Sequence, residues 1–146
     1  MIGLLQRVTD ASVSINEQTV GNIDKGLLVL VGIEKDDTEK QADRLLERLL
    51  SYRVFPDSED KMNLSLADIN GGLLLVPQFT LAADTRKGKR PSFSSAASPE
   101  KGQKLFQYLV KQAQIIYSDV AMGRFGADMQ VSLANDGPVT FWIEAR

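Results

Sequence analysis

The sequence contains no cysteine and no histidine. These two absences remove whole classes of chemistry: no disulfide, no Cys nucleophile, no Ser-His-Asp triad and no zinc site of the usual Cys/His kind can be built. No metal site and no cofactor is expected. The side chains left for proton transfer are Asp, Glu, Lys and Tyr; otherwise the work falls to backbone amides, bound water or the substrate itself. Long hydrophobic runs are missing too. The longest, Gly26 to Ile33, has the length of a strand and falls well short of the roughly 18 residues of a membrane span. Met1-Ile2-Gly3-Leu4-Leu5-Gln6-Arg7 lacks the basic stretch and apolar core of a secretory signal, so a cytoplasmic location follows by default and no membrane partner is expected. Nor is there an excess of positive charge. With 17 Lys and Arg against 19 Asp and Glu the net charge is −2, which argues against nonspecific coating of nucleic acid but not against gripping one end of an RNA.

What is present suits one globular domain over residues 1–146, with 43% hydrophobic and 25% charged residues. A domain of this size buries roughly 68–70% of its unfolded surface, enough for a core without staples. Leu4 to Val8 reads as a short apolar strand. Ala11 to Ile15 alternates with period two, Asn16-Glu17-Gln18 reads as a turn into Thr19 to Ile23, and Gly26 to Ile33 is a central strand apolar on both faces. The period then changes: Ala42, Leu45, Leu46, Leu49 and Leu50 share one helical face, with Asp36 and Glu39 spaced as a capping box. Tyr52 to Phe55 returns to strand and stops at Pro56, and Asp57 to Asn70 is polar and loop-like. Gly72 to Val76 is a second buried strand running into Pro77 to Leu81, and Asp84 to Ser98 is a loop carrying Arg86, Lys87, Lys89 and Arg90. Ser98-Pro99-Glu100 has the N-cap, first-turn proline and acid of a helix start. Leu105, Phe106, Leu109, Val110, Ala113 and Ile116 form the buried face of that helix. Two last strands, Met129 to Leu133 and Val139 to Glu144, are joined by Asn135-Asp136-Gly137 as a tight turn. The expected fold class is α+β: a mostly antiparallel sheet or open barrel with two main helices packed on it.

Two motifs carry chemistry. Gln78-Phe79-Thr80-Leu81 follows an apolar strand, where backbone N–H groups become free for a ligand and Thr80 adds a hydroxyl. Alone it is also what an ordinary strand end looks like. Asn135-Asp136-Gly137-Pro138-Val139-Thr140 combines a hairpin signal with a proline that fixes φ and offers no N–H. X–Pro is the bond that reaches cis readily, and a cis bond here would aim two consecutive carbonyls in nearly the same direction. Alone it is also an ordinary hairpin turn.

Taken together, in this order, the two motifs resemble the D-aminoacyl-tRNA deacylases, whose pattern is Ser-Gln-Phe-Thr-Leu followed near the C-terminus by Asn-x-Gly-Pro-Val-Thr. Gln6-Arg7-Val8, Lys61-Met62-Asn63-Leu64, Arg90-Pro91-Ser92-Phe93 and Ala127-Asp128-Met129-Gln130-Val131 extend the resemblance from end to end. One position departs from it: residue 77 is Pro where the family pattern has Ser, which removes a hydroxyl and an N–H beside the expected site.

The resemblance implies hydrolysis of the ester joining a D-amino acid, or glycine, to the terminal ribose of tRNA, with L-aminoacyl-tRNA rejected. It implies a homodimer in which the Gly137-Pro138 segment, with a cis bond, enters the site of the other subunit. The acceptor end of aminoacyl-tRNA is the expected partner. Gln78, Phe79 and Thr80 are then the catalytic segment, with the N–H groups of Phe79 and Thr80 facing the developing oxyanion. Gly137 and Pro138 would accept from the substrate ammonium and block an L side chain. Arg7 would hold that segment, and Phe125 and Met129 would pack against the terminal adenine or simply against their neighbours. Thr80 as nucleophile would need a base, and its sequence neighbourhood offers none; a positioning role, assisted by the ribose 2′-hydroxyl, is the alternative. The basic loop would touch tRNA phosphates or be a solvated surface. A non-catalytic binding module for RNA ends or D-amino acids is a further reading, and a dimer whose motifs serve only folding is another.

Overall fold

The computed structural model describes all 146 residues, Met1 to Arg146. Its elements are β1 (Ile2–Ile15), β2 (Gln18–Ile23), β3 (Gly26–Gly32), α1 (Glu39–Ser51), β4 (Phe55–Pro56), β5 (Met62–Leu64), α2 (Leu66–Ile69), β6 (Gly72–Pro77), a 3-10 turn (Phe79–Ala82), α3 (Pro99–Ile116), β7 (Val120–Met122) and β8 (Gln130–Glu144).

β1 organises the sheet. The segments 4–8 and 11–15 are one long strand, not two. On one edge it pairs antiparallel with β3 over Ile2 to Val8 and with β2 over Ala11 to Ile15; along the other edge it pairs antiparallel with β8. Asn16 and Glu17, both at positive φ, make the tight turn into β2. The sheet then continues through β6 and β7, both parallel to their neighbours, because α1 and α3 serve as crossovers. Four of the six ladders are antiparallel. Gly21 brings β2 so close to β7 that a Cβ there would stand 2.9 Å from the Met122 carbonyl oxygen, and this contact nearly closes the sheet into a barrel.

Period-two alternation explains why β3 and β6 are apolar throughout. Leu27, Val29, Leu73 and Leu75 face α1 and α3, where they meet Leu45, Leu49, Phe106 and Leu109. Leu28, Leu74 and Val76 face the other way, into the barrel, with Val8, Val13 and Ile23.

Several local expectations are corrected. Asn135-Asp136-Gly137 is not a hairpin turn. β8 is one strand that bulges, because Asn135 pairs with Val8 and Thr140 with Gln6, leaving four residues of β8 opposite Arg7 alone. A proline without an N–H cannot continue the ladder, so the chain leaves it there and rejoins it. The cap of α1 is Thr38, with Gln41 completing the capping box, rather than Asp36 with Glu39. The nearby Asp37 is buried instead, accepting from the Met1 ammonium at 2.7 Å and from the Glu34 N–H. Strand structure at Tyr52 to Phe55 shrinks to Phe55–Pro56. The polar segment 57–70 contains β5 and α2, organised by the Asp57 carboxylate and by a Ser65/Asp68 capping box. Ile116 is exposed in the last turn of α3, not part of its buried face. The chain runs into a 3-10 turn, not on in strand, after Pro77. No helix is long and apolar enough to cross a membrane.

Candidate active site

The last ladder bond of β6 runs from the Gln78 N–H to the Val31 carbonyl at 2.8 Å. The backbone then coils into the 3-10 turn, where Leu81 N–H donates to the Gln78 carbonyl at 3.2 Å. A helical turn leaves its first N–H groups without internal partners. Here those are Phe79 and Thr80, and neither donates to any group of the chain. Two adjacent backbone donors therefore face outward at the end of a buried strand.

The Thr80 side chain is exposed, and the Gln78 side-chain amide donates to its Oγ1. That bond occupies a hydroxyl lone pair and leaves the Thr80 proton free to donate elsewhere. No carboxylate, lysine or tyrosine hydrogen-bonds Thr80, so nothing in this chain is placed to activate it as a nucleophile. Nor is there any group of three or more acidic side chains placed to hold a metal ion.

Phe79 is 59% exposed, and its ring packs on Phe93 at a centroid distance of 5.3 Å. Two clefts flank it. One, of about 540 Å³, is mostly apolar and runs between Phe79, Phe93, Ala97, Gly102 and Phe125. The other, of about 280 Å³, is walled by Pro77, Gln78, Phe79, Phe125 and Met129. Gln78, Phe79, Phe125 and Met129 are thus brought together from distant parts of the sequence, and Thr80 adjoins them through Gln78 without lining either cleft. Phe125 reaches the site by lying against Gly102, where a Cβ would stand 3.0 Å from its ring. Phe93 and Gly102 were not assigned to the site; Phe93 stands in the Arg90-Pro91-Ser92-Phe93 stretch of the resemblance without a role, and a glycine inside a helix was the only signal for Gly102.

Arg7, Gly137 and Pro138 form a separate group. The half-buried Arg7 guanidinium donates to the Asp136 carbonyl at 3.0 Å and to the Val54 carbonyl at 2.8 Å, and meets the Asp136 carboxylate at 3.5 Å. Asn135 closes the bulge from inside: its Oδ1 accepts from Val139 N–H at 2.9 Å and its Nδ2 donates to Thr140 Oγ1 at 2.8 Å. Its role also went unforeseen, although it opens the motif. Gly137 has φ +135°, and the Gly137–Pro138 peptide is cis. Both residues are exposed and outside the ladder.

Within one chain the two groups do not meet. β8 lies three strands from β6, through β1 and β3, which at roughly 4.8 Å per strand is about 14 Å. Register adds a second offset. Arg7 is level with Leu27 on β3, whereas Pro77 is level with Val31, four residues or about 13 Å further along. Neither cleft beside Phe79 is lined by Gly137 or Pro138.

The basic loop holds one surprise. Arg86 is not free: it makes a two-pronged bond to the Asp84 carboxylate at 2.9 and 2.7 Å. The same guanidinium, helped by the Arg86 N–H, holds the Asp84 carboxyl down at about 2. Lys87, Lys89 and Arg90 remain exposed without an ion-pair partner.

Comparison with known proteins bears on this arrangement. The D-Tyr-tRNA(Tyr) deacylase family matches residues 4–144. A D-aminoacyl-tRNA deacylase of Pseudomonas putida is 64% identical over 144 residues, covering 99% of each chain. One of Janthinobacterium is 62% identical over 146 residues, covering 100% of this chain and 98% of the relative. Among solved structures, the c-Myc DNA unwinding element binding protein has a TM-score of 0.95 at 36% identity, covering 100% of this chain and 99% of the other. A probable eukaryotic D-amino acid tRNA deacylase shares the fold, with a TM-score of 0.83 at 18% identity over 98% of each chain.

Proposed function

This chain belongs to the D-Tyr-tRNA(Tyr) deacylase family and hydrolyses D-aminoacyl-tRNA, and from that premise we propose how its residues do so: the Gln78–Leu81 segment of one copy and the Gly137-Pro138 bulge of a second copy together form each active site. The observation that carries this reading is the separation of the two motifs within a single chain. The bulge stands exposed, and three residues beyond Pro138 the exposed Phe141 packs edge-on against the exposed Tyr52, an aromatic pair that suits contact with a second copy.

In this reading the terminal adenosine enters the apolar cleft between Phe79, Phe93 and Phe125. The ester carbonyl then lies over the Phe79 and Thr80 N–H groups. Water adds to the carbonyl carbon, the two N–H groups hold the developing oxyanion, and the bond to the ribose oxygen breaks as that oxygen takes a proton. Each such donor is worth about 10²–10³ in rate. Thr80 donates its free hydroxyl proton and positions the ester; the ribose 2′-hydroxyl of the substrate supplies the assistance that histidine gives elsewhere. The carbonyls of Gly137 and Pro138 accept from the substrate ammonium and occupy the space an L side chain would need. Glycine, lacking a side chain, passes the filter.

The test is single-turnover hydrolysis of D-tyrosyl-tRNA beside L-tyrosyl-tRNA, followed by complementation. Gly102→Phe blocks the adenosine cleft and Gly137→Ala disturbs the bulge, since its Cβ would stand 2.7 Å from the Val139 side chain. Each alone should be impaired. Mixed and allowed to exchange, they should recover roughly a quarter of wild-type activity, because half the dimers are mixed and each holds one intact site. No recovery on exchange rejects the shared site.

A further inference from the structure

A third groove lies beyond Phe125. Phe125 lines both this groove and the cleft beside Phe79, so the two join at its ring. The groove measures about 450 Å³, and Val20, Phe106, Val110 and Met122 join Phe125 as its apolar lining. One wall is α3, which presents Gln103, Gln107, Lys111 and Gln114, all exposed. Steps of four, four and three residues set these four on one helical face, spread over about 16 Å at 1.5 Å per residue. Arg124 stands on the other wall.

Two features of this groove are not required by folding. No acidic side chain lines it, although acids outnumber bases in the chain as a whole. Neither Lys111 nor Arg124 is engaged in a salt bridge. An apolar strip flanked by side-chain amides and uncompensated cations matches the chemistry of a single nucleotide. A base face covers the apolar strip, glutamine amides both donate to and accept from base edges, and a cation takes the phosphate. A peptide partner would have no use for two unpaired cations unless it were acidic.

We propose that this groove binds the unpaired nucleotide preceding the terminal adenosine of tRNA, with Lys111 and Arg124 facing the phosphates and Gln103, Gln107 and Gln114 facing the base. The proposal rests on seating the terminal adenosine in the cleft beside Phe79; the shared Phe125 ring then marks the step from one nucleotide to the next. Because neither Phe79 nor Thr80 lines the groove, it contributes affinity and leaves the chemical step alone.

Three D-tyrosyl esters test this under single-turnover conditions: of adenosine, of the dinucleotide with cytidine before adenosine, and of whole tRNA. Wild type should half-saturate with the dinucleotide ester at about a tenfold lower concentration than with the adenosine ester, the gain expected of one stacked base. The surface double variant Gln107→Ala/Lys111→Ala should erase that difference and weaken tRNA by a similar factor. Its maximal rate on all three, and its half-saturation with the adenosine ester, should match wild type. Its log–log salt dependence for tRNA should flatten by about 0.7 for a lost phosphate contact. The proposal is overturned if wild type treats the adenosine and dinucleotide esters alike, if the double variant keeps the difference, or if it weakens both esters equally. Failure of the reading beneath it has its own signature: Gly102→Phe, with an unchanged melting temperature, would saturate normally with the adenosine ester.

Discussion

The Gln78–Leu81 segment and the Asn135–Thr140 segment are both interruptions of a strand, yet they are built in opposite ways. The first is left open. Its N–H groups at Phe79 and Thr80 are unbonded, and its one side-chain hydrogen bond, Gln78 to Thr80, is internal and exposed. The second is braced on three sides, by Arg7 on the Asp136 carbonyl and by Asn135 on both Val139 and Thr140. A segment meant to receive charge from a ligand must keep its donors free. On the proposed mechanism the second segment excludes one hand of the substrate and must not yield, and hydrogen bonds to a bulge fix it where a ladder cannot. Order and openness are divided between two places that the fold keeps apart.

The contrast can be broken most severely at Arg7. Arg7→Ala leaves the buried-side carbonyls of Asp136 and Val54 unpaired; a loss of about 2 kcal/mol should lower Tm by about 4–8 °C in a chain of this size. The same variant should reduce kcat/KM on D-tyrosyl-tRNA by about 10² because the filter loses its position, and Arg7→Lys should recover little, having no fork to span both carbonyls. Thr80→Ala comes next and should show the opposite pattern: kcat down by about 10² with Tm unchanged, read by single-turnover rates and thermal melts together. Residual turnover above background would support positioning over nucleophilic attack. Asn135→Ala should fall between in kind, costing about 1 kcal/mol and blunting discrimination between D- and L-tyrosyl-tRNA more than the rate on the D form. The smallest effect belongs to the basic loop. The Asp84 carboxyl, held at about 2 against an ordinary 3.8, makes a pair that is fully present above about pH 4 and is lost only as pH falls through 2. Binding of tRNA should therefore show no step from this pair between pH 5 and 9, whereas Asp84→Asn, which frees Arg86, should tighten tRNA binding severalfold at low salt.

Much of the fold was legible because single residues announce it. The Ser98-Pro99-Glu100 start of α3 is a local signal that Ser98 fulfils, its side chain accepting from Lys101 N–H. The apolar runs of β3 and β6 could only be strands buried on both faces. Where local signals competed, the sequence misled. Asp36 and Thr38 both carry a side chain fit to cap α1; the cap fell to Thr38 because Asp37 beside it is drawn into the buried pair with the Met1 ammonium. Asp136-Gly137 is a strong hairpin pair, but the hairpin needs its two flanks to pair with each other, and β1 offers both of them a longer partner. Position 77 shows a limit of another kind: Pro77 ends β6 and lines the smaller cleft, and nothing in the structure explains why proline stands there.

The sequence by itself determined the chemistry that is excluded, the strand-rich core and the identity of both motifs, because composition and short-range patterning act residue by residue. It could not determine that the motifs lie apart, that Phe93, Gly102 and Phe125 gather around Phe79, or that Arg86 is already spent on Asp84. Those depend on which strands become neighbours and in what register, and that is decided by burial of β1, β3 and β6 across the whole chain, where contacts between residues more than a hundred positions apart outweigh any local preference.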